Sequence, residues 1–182
     1  MNIVFEGQSK KGTPIIIRYP EKEDVHILCD FINEVSRECT FIRFQGETIT
    51  LEEETKYVDD LLVKIAKHET VMLMAMSENK LIGVTDIRML DKIEKHVGIF
   101  GILLAQQVRN QGIGGILLRT VLDVAIKQLP QLEIVTLGVF TKNTLALNWY
   151  KRSGFVEYGN LPGGIKTKEG NQDHVFMYKK VR

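Results

Sequence analysis

The run Arg109-Asn110-Gln111-Gly112-Ile113-Gly114-Gly115 decides how the rest of the chain is interpreted. It stands between an apolar stretch, Val97–Leu104, and a stretch of leucine, valine and alanine at helical spacing that stops near Pro130. These positions predict a buried strand, a tight glycine loop and a helix. Closely spaced glycines let a ligand approach the backbone, and N–H groups at a helix start attract an anion such as phosphate. A purely structural turn is the alternative for so short a loop.

Two common phosphate-binding motifs do not fit this loop. A Walker loop ends in Gly-Lys-Ser/Thr, and a dinucleotide fingerprint requires a third glycine where Leu117 stands. The spacing Arg-x-x-Gly-x-Gly after a strand instead resembles the acyl-CoA pyrophosphate loop of the GNAT superfamily of N-acyltransferases. Residues 143–155 carry the spacing Asn-x-x-Ala-x-x-x-Tyr-x-x-x-Gly-Phe, which resembles the second motif of that superfamily. Both motifs occur in the family's order.

This resemblance implies an acetyl-CoA-dependent N-acetyltransferase with acetyl-CoA as cosubstrate. It also implies that the amine attacks directly in a ternary complex and that Tyr150 is the catalytic acid that protonates the departing thiolate. The implied cofactor contacts are the backbone at Leu104 for the pantetheine arm, the loop amides for the pyrophosphate, and Asn143 for the cofactor's amide portion. The implied cofactor-binding residues are Leu104, Arg109, Asn110, Gln111, Gly112, Ile113, Gly114, Gly115 and Asn143.

The catalytic base is left open. In similar ribosomal-protein amino-terminal acetyltransferases a glutamate precedes the asparagine motif, and the matching position here is Gly138. The remaining candidates are Asp86, Glu94 and His96, acting through water. The alternative function is a non-catalytic acyl-CoA-binding regulatory domain, which retains the loop but lacks an acceptor site.

Hydrophobic periodicity predicts an α/β fold with the order β-α-α-β-β-β-α-β-α-β-β. The resemblance makes this a single GNAT-like domain with a mixed, mostly antiparallel twisted sheet and helices on both faces. The predicted elements are a strand before Pro20, helices over residues 25–38 and 51–67, hairpin strands 71–76 and 81–89, a central strand 97–104, a helix to 130, a strand 133–140, a helix 144–152, a strand 155–158, a loop 159–173 and a strand 174–180.

Composition sets the outer limits. The 182 residues, 44% of them hydrophobic, are expected to form one domain over residues 1–182 with its core at about residues 15–180. The 24 basic and 23 acidic residues nearly cancel, which excludes a general attraction to nucleic acid or to anionic lipid. Two cysteines, Cys29 and Cys39, indicate a reducing, cytoplasmic setting. No spacing predicts a metal site, no apolar run is long enough for a membrane helix, and no secretory signal is expected. The acceptor, a small molecule or a protein amine, stays open, and so does a homodimer.

Overall fold

The structure is a computed structural model that describes residues 2–182. The described chain forms a mixed α/β fold with four α-helices and a largely antiparallel sheet, which confirms the predicted fold class. The strands are β1 (Ile3–Gln8), β2 (Pro14–Arg18), β3 (Thr70–Ser77), β4 (Lys80–Met89), β5 (Val97–Leu104), β6 (Ile134–Phe140), β7 (Val156–Thr167) and β8 (Gly170–Lys180). The helices are α1 (Val25–Arg37), α2 (Leu51–Ala66), α3 (Ile113–Gln128) and α4 (Thr144–Arg152).

The contacts within the chain define two compact units. The first unit contains the residues up to Arg88 together with Gly101–Pro130, and the second contains Met89–Phe100 and Gln131–Arg182. The first half of β5 therefore belongs to the second unit, and its second half belongs to the first. The single-domain organisation over residues 1–182 stays a prediction.

In the first unit β1, β2, β3 and β4 pair in that order, and every pair is antiparallel. Ile17 of β2 and Leu73 and Met74 of β3 are fully buried in its core. α1 packs on α2, and α3 packs against β3. The Thr50 hydroxyl accepts from the Glu53 amide, and the Glu53 carboxylate accepts from the Thr50 amide. This capping box confirms the predicted start of α2.

A buried ion pair fixes the passage from β2 to α1. Arg18 donates from Nη1 to Oδ2 and from Nη2 to Oδ1 of Asp24, both at 2.6 Å, and the two residues are 6% and 8% exposed. Burial opposes the charge on Asp24, but the bonds from Arg18 and from the Glu21 amide, together with the Arg18 charge, lower the pKa of Asp24 below its ordinary value. The pair therefore holds Asp24 ionised inside the protein.

In the second unit β6 lies between β5, which is parallel to it, and β8, which is antiparallel. β8 also pairs with β7 in a long antiparallel hairpin. α4 buries Tyr150 against the rings of Phe100 and Phe155, with ring centroids 6.1 and 5.7 Å from that of Tyr150. These aromatic contacts anchor α4 within its unit.

The predicted element order lacked β1, which precedes its first strand. β1 pairs with β2 from Ile3↔Arg18 to Gln8↔Pro14, and its side chains are exposed or half-buried. Glu6 and Gly7 interrupt the apolar pattern of this short segment. An edge strand that buries so little carries a weak periodicity signal.

The prediction of a loop over residues 159–173 was wrong. β7 continues to Thr167, and β8 begins at Gly170 after a tight turn. Most side chains of β7 are exposed, so polar residues and glycines do not disturb the backbone pairing that defines the strand. The register shifts between Leu161 and Ile165, where Gly163 has a φ of +65°. This irregularity accounts for the loop-like composition.

Two smaller differences concern β3, β4 and β5. The predicted four-residue link of the hairpin is a two-residue turn, in which Glu78 and Asn79 have φ of +47° and +64°. Positive φ at both central positions is typical of a type I′ hairpin turn. β5 was predicted to be buried on both faces, but Ile99 is 36% exposed.

Candidate active site

The glycine loop lies in the first unit between β5 and α3. Gly112 is the residue before the first turn of α3, and its φ of +82° lies in the left-handed region that favours glycine. Within the described chain no side chain caps this helix end. The positive end of the α3 dipole is therefore not neutralised by a capping oxygen.

The backbone amides of residues 110–114 have no acceptor within residues 2–182. On either side of them the amides are engaged, because Arg109 donates to the Gln106 carbonyl at 3.3 Å and Gly115 donates to the Gly112 carbonyl at 3.1 Å. Successive unbonded N–H groups at a helix start form a cradle suited to an anion. The predicted pyrophosphate contacts stay predictions, and the Gly115 amide is the one in that set already bonded within the protein.

The Arg109 side chain bonds to protein groups. Its Nε and Nη2 donate to the Leu104 carbonyl at 3.1 and 2.8 Å, and Nη2 lies 2.5 Å from Oε2 of Glu38. The Glu38 side chain is 12% exposed and that of Arg109 is 32% exposed, so this ion pair is partly shielded from solvent. Arg109 therefore ties the loop to the end of β5 and to the residue after α1. This is a positioning role, whereas the resemblance implied a contact with the cofactor.

The backbone around Leu104 is partly occupied as well. The Leu104 carbonyl accepts both Arg109 bonds, and the next amide, that of Ala105, donates to the Ile82 carbonyl at 3.0 Å. The implied pairing of this backbone with a pantetheine arm stays a prediction. It would have to use groups other than these two.

The turn between β1 and β2 contacts the glycine loop, and no motif in the sequence predicts this contact. The Lys10 amide donates to the Gln111 carbonyl at 3.1 Å, and the Thr13 hydroxyl donates to Gln111 Oε1 at 2.9 Å. A Cβ placed on Gly112 would lie 3.1 Å from both Cγ and Cδ of Lys10. Lys10 therefore lies beside the start of α3. β1 brings it there, and recognising β1 is the step that would have revealed it.

Asn143 caps α4 in the second unit. Its Oδ1 accepts from the Ala146 amide at 3.1 Å, while its Nδ2 has no acceptor among residues 2–182. The sequence motif thus has a structural role in starting α4. The implied contact with the cofactor stays a prediction, and the side-chain Nδ2 is a donor available to make it.

Tyr150 is 8% exposed, so its ring is buried in the second unit. Its ring contacts Trp149, Phe100 and Phe155, and no partner for its hydroxyl occurs within the described part of the chain. Burial raises the pKa of Tyr150 well above its ordinary value, so the phenol keeps its proton at neutral pH. A neutral hydroxyl without a protein partner can donate a hydrogen bond or a proton.

The position that resembles the family's glutamate, Gly138, has no room for any side chain. A Cβ there would overlap Nε2 of His174 and lie 2.7 Å from its Cε1. His174 packs on Phe176 with ring centroids 4.3 Å apart, and burial lowers its pKa. The imidazole therefore fills the space that a larger residue at position 138 would need.

Asp86 is the base candidate with the most distinctive surroundings. Its Oδ2 lies 2.7 Å from Nε of Arg88, and a Cβ on Gly101 would lie 2.5 Å from its Oδ1. Burial raises the pKa of Asp86 above its ordinary value, although the Arg88 charge and hydrogen bond oppose the shift. All of these residues belong to the first unit.

The other two base candidates lie in the second unit. Glu94 is exposed in a short 3₁₀ turn, and His96 is half-buried with its carbonyl bonded to the amides of Glu133 and Ile134. Among residues 2–182 no group of His, Cys, Asp and Glu side chains has the arrangement of a metal site. In the same part of the chain no helix has both the length and the apolar character needed to span a membrane.

Solved structures with similar folds cover almost the whole chain. An acetyltransferase of the GNAT family from Streptococcus pneumoniae is 26% identical, with a TM-score of 0.83 over 92% of this chain and 99% of that one. A ribosomal L7/L12 alpha-N-protein acetyltransferase in complex with coenzyme A is 13% identical, with a TM-score of 0.81 over 98% of both chains. Spermidine N-acetyltransferase from Vibrio cholerae, in complex with CoA and spermine, is 20% identical, with a TM-score of 0.76 over 91% of this chain and 95% of that one.

A search of curated protein sequences returns no match. The family model described as Acetyltransferase (GNAT) family matches residues 30–155, which include the glycine loop, Asn143 and Tyr150. This match spans more than half of the chain and confirms the resemblance found in the two sequence motifs. The chain belongs to the GNAT family of acetyltransferases.

Proposed function

We propose that the protein transfers an acetyl group from acetyl-CoA to a primary amine of an unidentified acceptor. The observation that carries the proposal is the uncapped start of α3, where the amides of residues 110–114 have no acceptor within the described chain. This cradle suits a pyrophosphate, because N–H groups and the helix dipole both favour negative charge there. The CoA complexes of two similar structures support the same cofactor for this chain.

The chain's own groups would hold the cofactor by their hydrogen-bond donors. The loop amides bind the pyrophosphate, Arg109 holds the loop in place through Leu104 and Glu38, and Asn143 offers its Nδ2 to an amide carbonyl. When bound, acetyl-CoA supplies a thioester that an amine can attack. The amine nitrogen forms an amide bond as the carbon–sulfur bond breaks, one proton leaves the nitrogen, and one proton is needed by the sulfur.

Tyr150 is the proposed donor of the proton to the sulfur. Its buried hydroxyl has no competing protein partner within residues 2–182, and its raised pKa keeps it protonated until a thiolate develops. General acid catalysis of this kind contributes roughly 10²- to 10⁴-fold to the rate. Removing the hydroxyl is therefore expected to lower turnover and not to alter binding of the cofactor.

Asp86 is the base candidate that we favour for the amine. Its raised pKa makes it a stronger base than an ordinary aspartate, and its side chain is still 21% exposed, so water can reach it. The Oδ1 of Asp86 fills the space beside Gly101, so a side chain at position 101 would displace the Asp86 carboxylate. Glu94 lacks such an environment because it is exposed to solvent.

The proposed transfer is direct, without an acyl-cysteine. Burial raises the pKa of Cys29, and the charges of Glu54, Asp30 and Glu53 raise it further, which disfavours a thiolate. Cys39 is exposed and carries no proposed role. Both cysteines are unpaired, which is consistent with the reducing, cytoplasmic setting that we propose.

The acceptor is proposed to be a small-molecule or protein amine. The similar structures include a ribosomal-protein acetyltransferase and a spermidine acetyltransferase, so the neighbours span both kinds of acceptor. We propose neither nucleic acid nor membrane as a partner, because the near-zero net charge gives no general attraction to either. A homodimer is proposed on the general frequency of dimers alone.

Thermal unfolding with and without coenzyme A tests the cofactor assignment. A ligand that binds only the folded state stabilises it by about 2.7 kcal/mol at a hundredfold excess over its dissociation constant. A rise in melting temperature with coenzyme A, and none with adenosine at the same concentration, is the expected result. An unchanged melting temperature at millimolar coenzyme A would remove the proposal.

A further inference from the structure

We propose that Lys10, in the turn between β1 and β2, binds a phosphate group of the cofactor at the start of α3. The inference rests on the proposed acetyl-CoA site and adds to it a residue that lies outside the family match to residues 30–155. The motifs in the sequence do not include Lys10. The position of Lys10 beside the glycine loop follows from the three-dimensional structure, because β1 brings its turn next to that loop within the first unit.

The turn that carries Lys10 is closed by its own hydrogen bonds. The Ser9 amide donates to the Thr13 carbonyl at 2.8 Å, and Ser9 Oγ accepts from the amides of Lys11 and Thr13 at 3.2 and 3.1 Å. Ser9 is 7% exposed, so this closure is internal to the protein. The backbone position of Lys10 is therefore fixed independently of its side chain.

Lys10 is joined to the loop by its backbone and by its aliphatic chain. Its amide donates to the Gln111 carbonyl at 3.1 Å. Beside Gly112, a Cβ would lie 3.1 Å from the Lys10 Cγ and Cδ and 3.4 Å from its Cε. The methylene groups thus follow the backbone at the start of α3, and the ammonium group lies one bond beyond Cε.

The Lys10 ammonium has no carboxylate or hydrogen-bond acceptor among residues 2–182. It therefore adds an uncompensated positive charge beside the unbonded amides of residues 110–114. Ammonium, amide donors and the helix dipole all favour an anion at the same place. Arg109 is already engaged by Glu38 and Leu104, whereas the side chain of Lys10 lies against Gly112 and its ammonium remains available to a ligand.

Lys11 provides a matched control. It is the next residue of the same turn, it is exposed and has the same charge, and its amide is bonded to Ser9 Oγ, away from Gln111. Exchanging either lysine for alanine changes the net charge equally. A loss of affinity confined to the Lys10 variant would therefore identify a local contact, as opposed to a general electrostatic attraction.

The experiment is calorimetric titration of the full chain with acetyl-CoA, using wild type, Lys10→Ala, Lys10→Arg and Lys11→Ala. We expect Lys10→Ala to weaken binding by about tenfold, which matches one charge-assisted contact of about 1.4 kcal/mol. Lys10→Arg should recover most of the affinity, and Lys11→Ala should stay within about twofold of wild type. The gap between wild type and Lys10→Ala should narrow as salt is raised from about 0.05 to 0.5 M, because an exposed charge pair is screened.

The inference fails if wild type binds acetyl-CoA and the two alanine variants bind alike, or if the loss in Lys10→Ala does not depend on salt. Melting temperatures without ligand show whether Lys10→Ala still folds, and Lys10→Arg tests the charge in a variant that keeps a long basic side chain. If wild type itself does not bind acetyl-CoA, the proposed function fails and this inference falls with it. Those two failures give different titration curves and cannot be confused.

Discussion

Gly114 and Gly115 allow the ligand-binding role of the glycine loop to be separated from its structural role. Both residues lie in the first turn of α3, both are half-buried, and neither has a positive φ. Gly114 belongs to the Arg-x-x-Gly-x-Gly spacing and its amide has no acceptor within the described residues, whereas the Gly115 amide is bonded to the Gly112 carbonyl. We predict that Gly114→Val abolishes coenzyme A binding and that Gly115→Val leaves it nearly unchanged.

The structure sets the size of each effect. Valine is a slightly better helix former than glycine, so helix propensity alone favours either variant by about a few tenths of a kcal/mol in the free energy of unfolding. A Cβ on Gly115 meets nothing within 4 Å, so no clash with the protein offsets that gain. A variant that no longer binds coenzyme A loses the stabilisation that the ligand gives, which is about 2.7 kcal/mol in the free energy of unfolding at a hundredfold excess over the dissociation constant. For a chain of this size that corresponds to roughly 5–11 °C in melting temperature.

The assay is a melting curve for each variant with and without millimolar coenzyme A. Coenzyme A should raise the melting temperatures of wild type and Gly115→Val by the same amount, and Gly114→Val should melt at one temperature with and without coenzyme A. Far-UV circular dichroism establishes that both variants are folded. Gly112 is unsuitable for this comparison because its φ of +82° would strain any replacement. If folded Gly114→Val retains the coenzyme A increment, the loop glycines only turn the chain and our interpretation of the loop is wrong.

Three further predictions concern other parts of the chain. Tyr150→Phe should lower kcat by roughly 10²- to 10⁴-fold and change the free energy of unfolding by less than about 1 kcal/mol, because the hydroxyl has no protein partner in the described chain. Steady-state kinetics and urea denaturation measure these two effects, and a wild-type kcat in the variant would assign the proton to another donor. Asp24→Asn should cost about 3–5 kcal/mol at neutral pH by leaving Arg18 buried without its partner. Because the folded-state pKa of Asp24 is lowered, its contribution to the free energy of unfolding is present above about pH 4 and is lost as the pH falls through the folded pKa. Urea denaturation should therefore show the stabilities of wild type and Asp24→Asn converging in acid. A stability difference that does not depend on pH would contradict the ion-pair account. Gly138→Ala should destabilise by about 1–3 kcal/mol through the clash with His174, and the double variant with His174→Ala should recover most of the loss in the same assay, whereas strictly additive effects would show that the two positions do not compete for space.

The sequence predicted the parts of the fold in which side chains carry the information. α2 has a capping box, α3 and α4 have apolar faces, and the two family motifs fall at the starts of those helices. β1 and residues 159–167 of β7 were not predicted, because these segments pair through the backbone and bury few side chains. Backbone pairing by itself does not require a particular amino-acid composition.

The candidate site divides in the same way. The glycine spacing and Tyr150 could be found because the chemistry depends on those residue types at those intervals. The partners of Arg109 could not, since Glu38 is distant in sequence and the contact depends on where α1 ends. Lys10 and His174 each lie against a glycine that is distant in sequence, and such neighbours are known only from the three-dimensional structure.

The most direct test of acetyl transfer is the release of free coenzyme A thiol from acetyl-CoA by the purified protein. The reaction is followed with a thiol reagent in the presence of a panel of amines that includes amino acids, a polyamine and peptides with free amino termini, with the Tyr150→Phe variant as a control. We predict thiol release that depends on at least one amine, matches the amount of acetylated amine found by mass spectrometry, and falls sharply in the control. Tight binding of acetyl-CoA without amine-dependent thiol release across the panel would contradict the account and identify the chain as a non-catalytic acyl-CoA-binding protein.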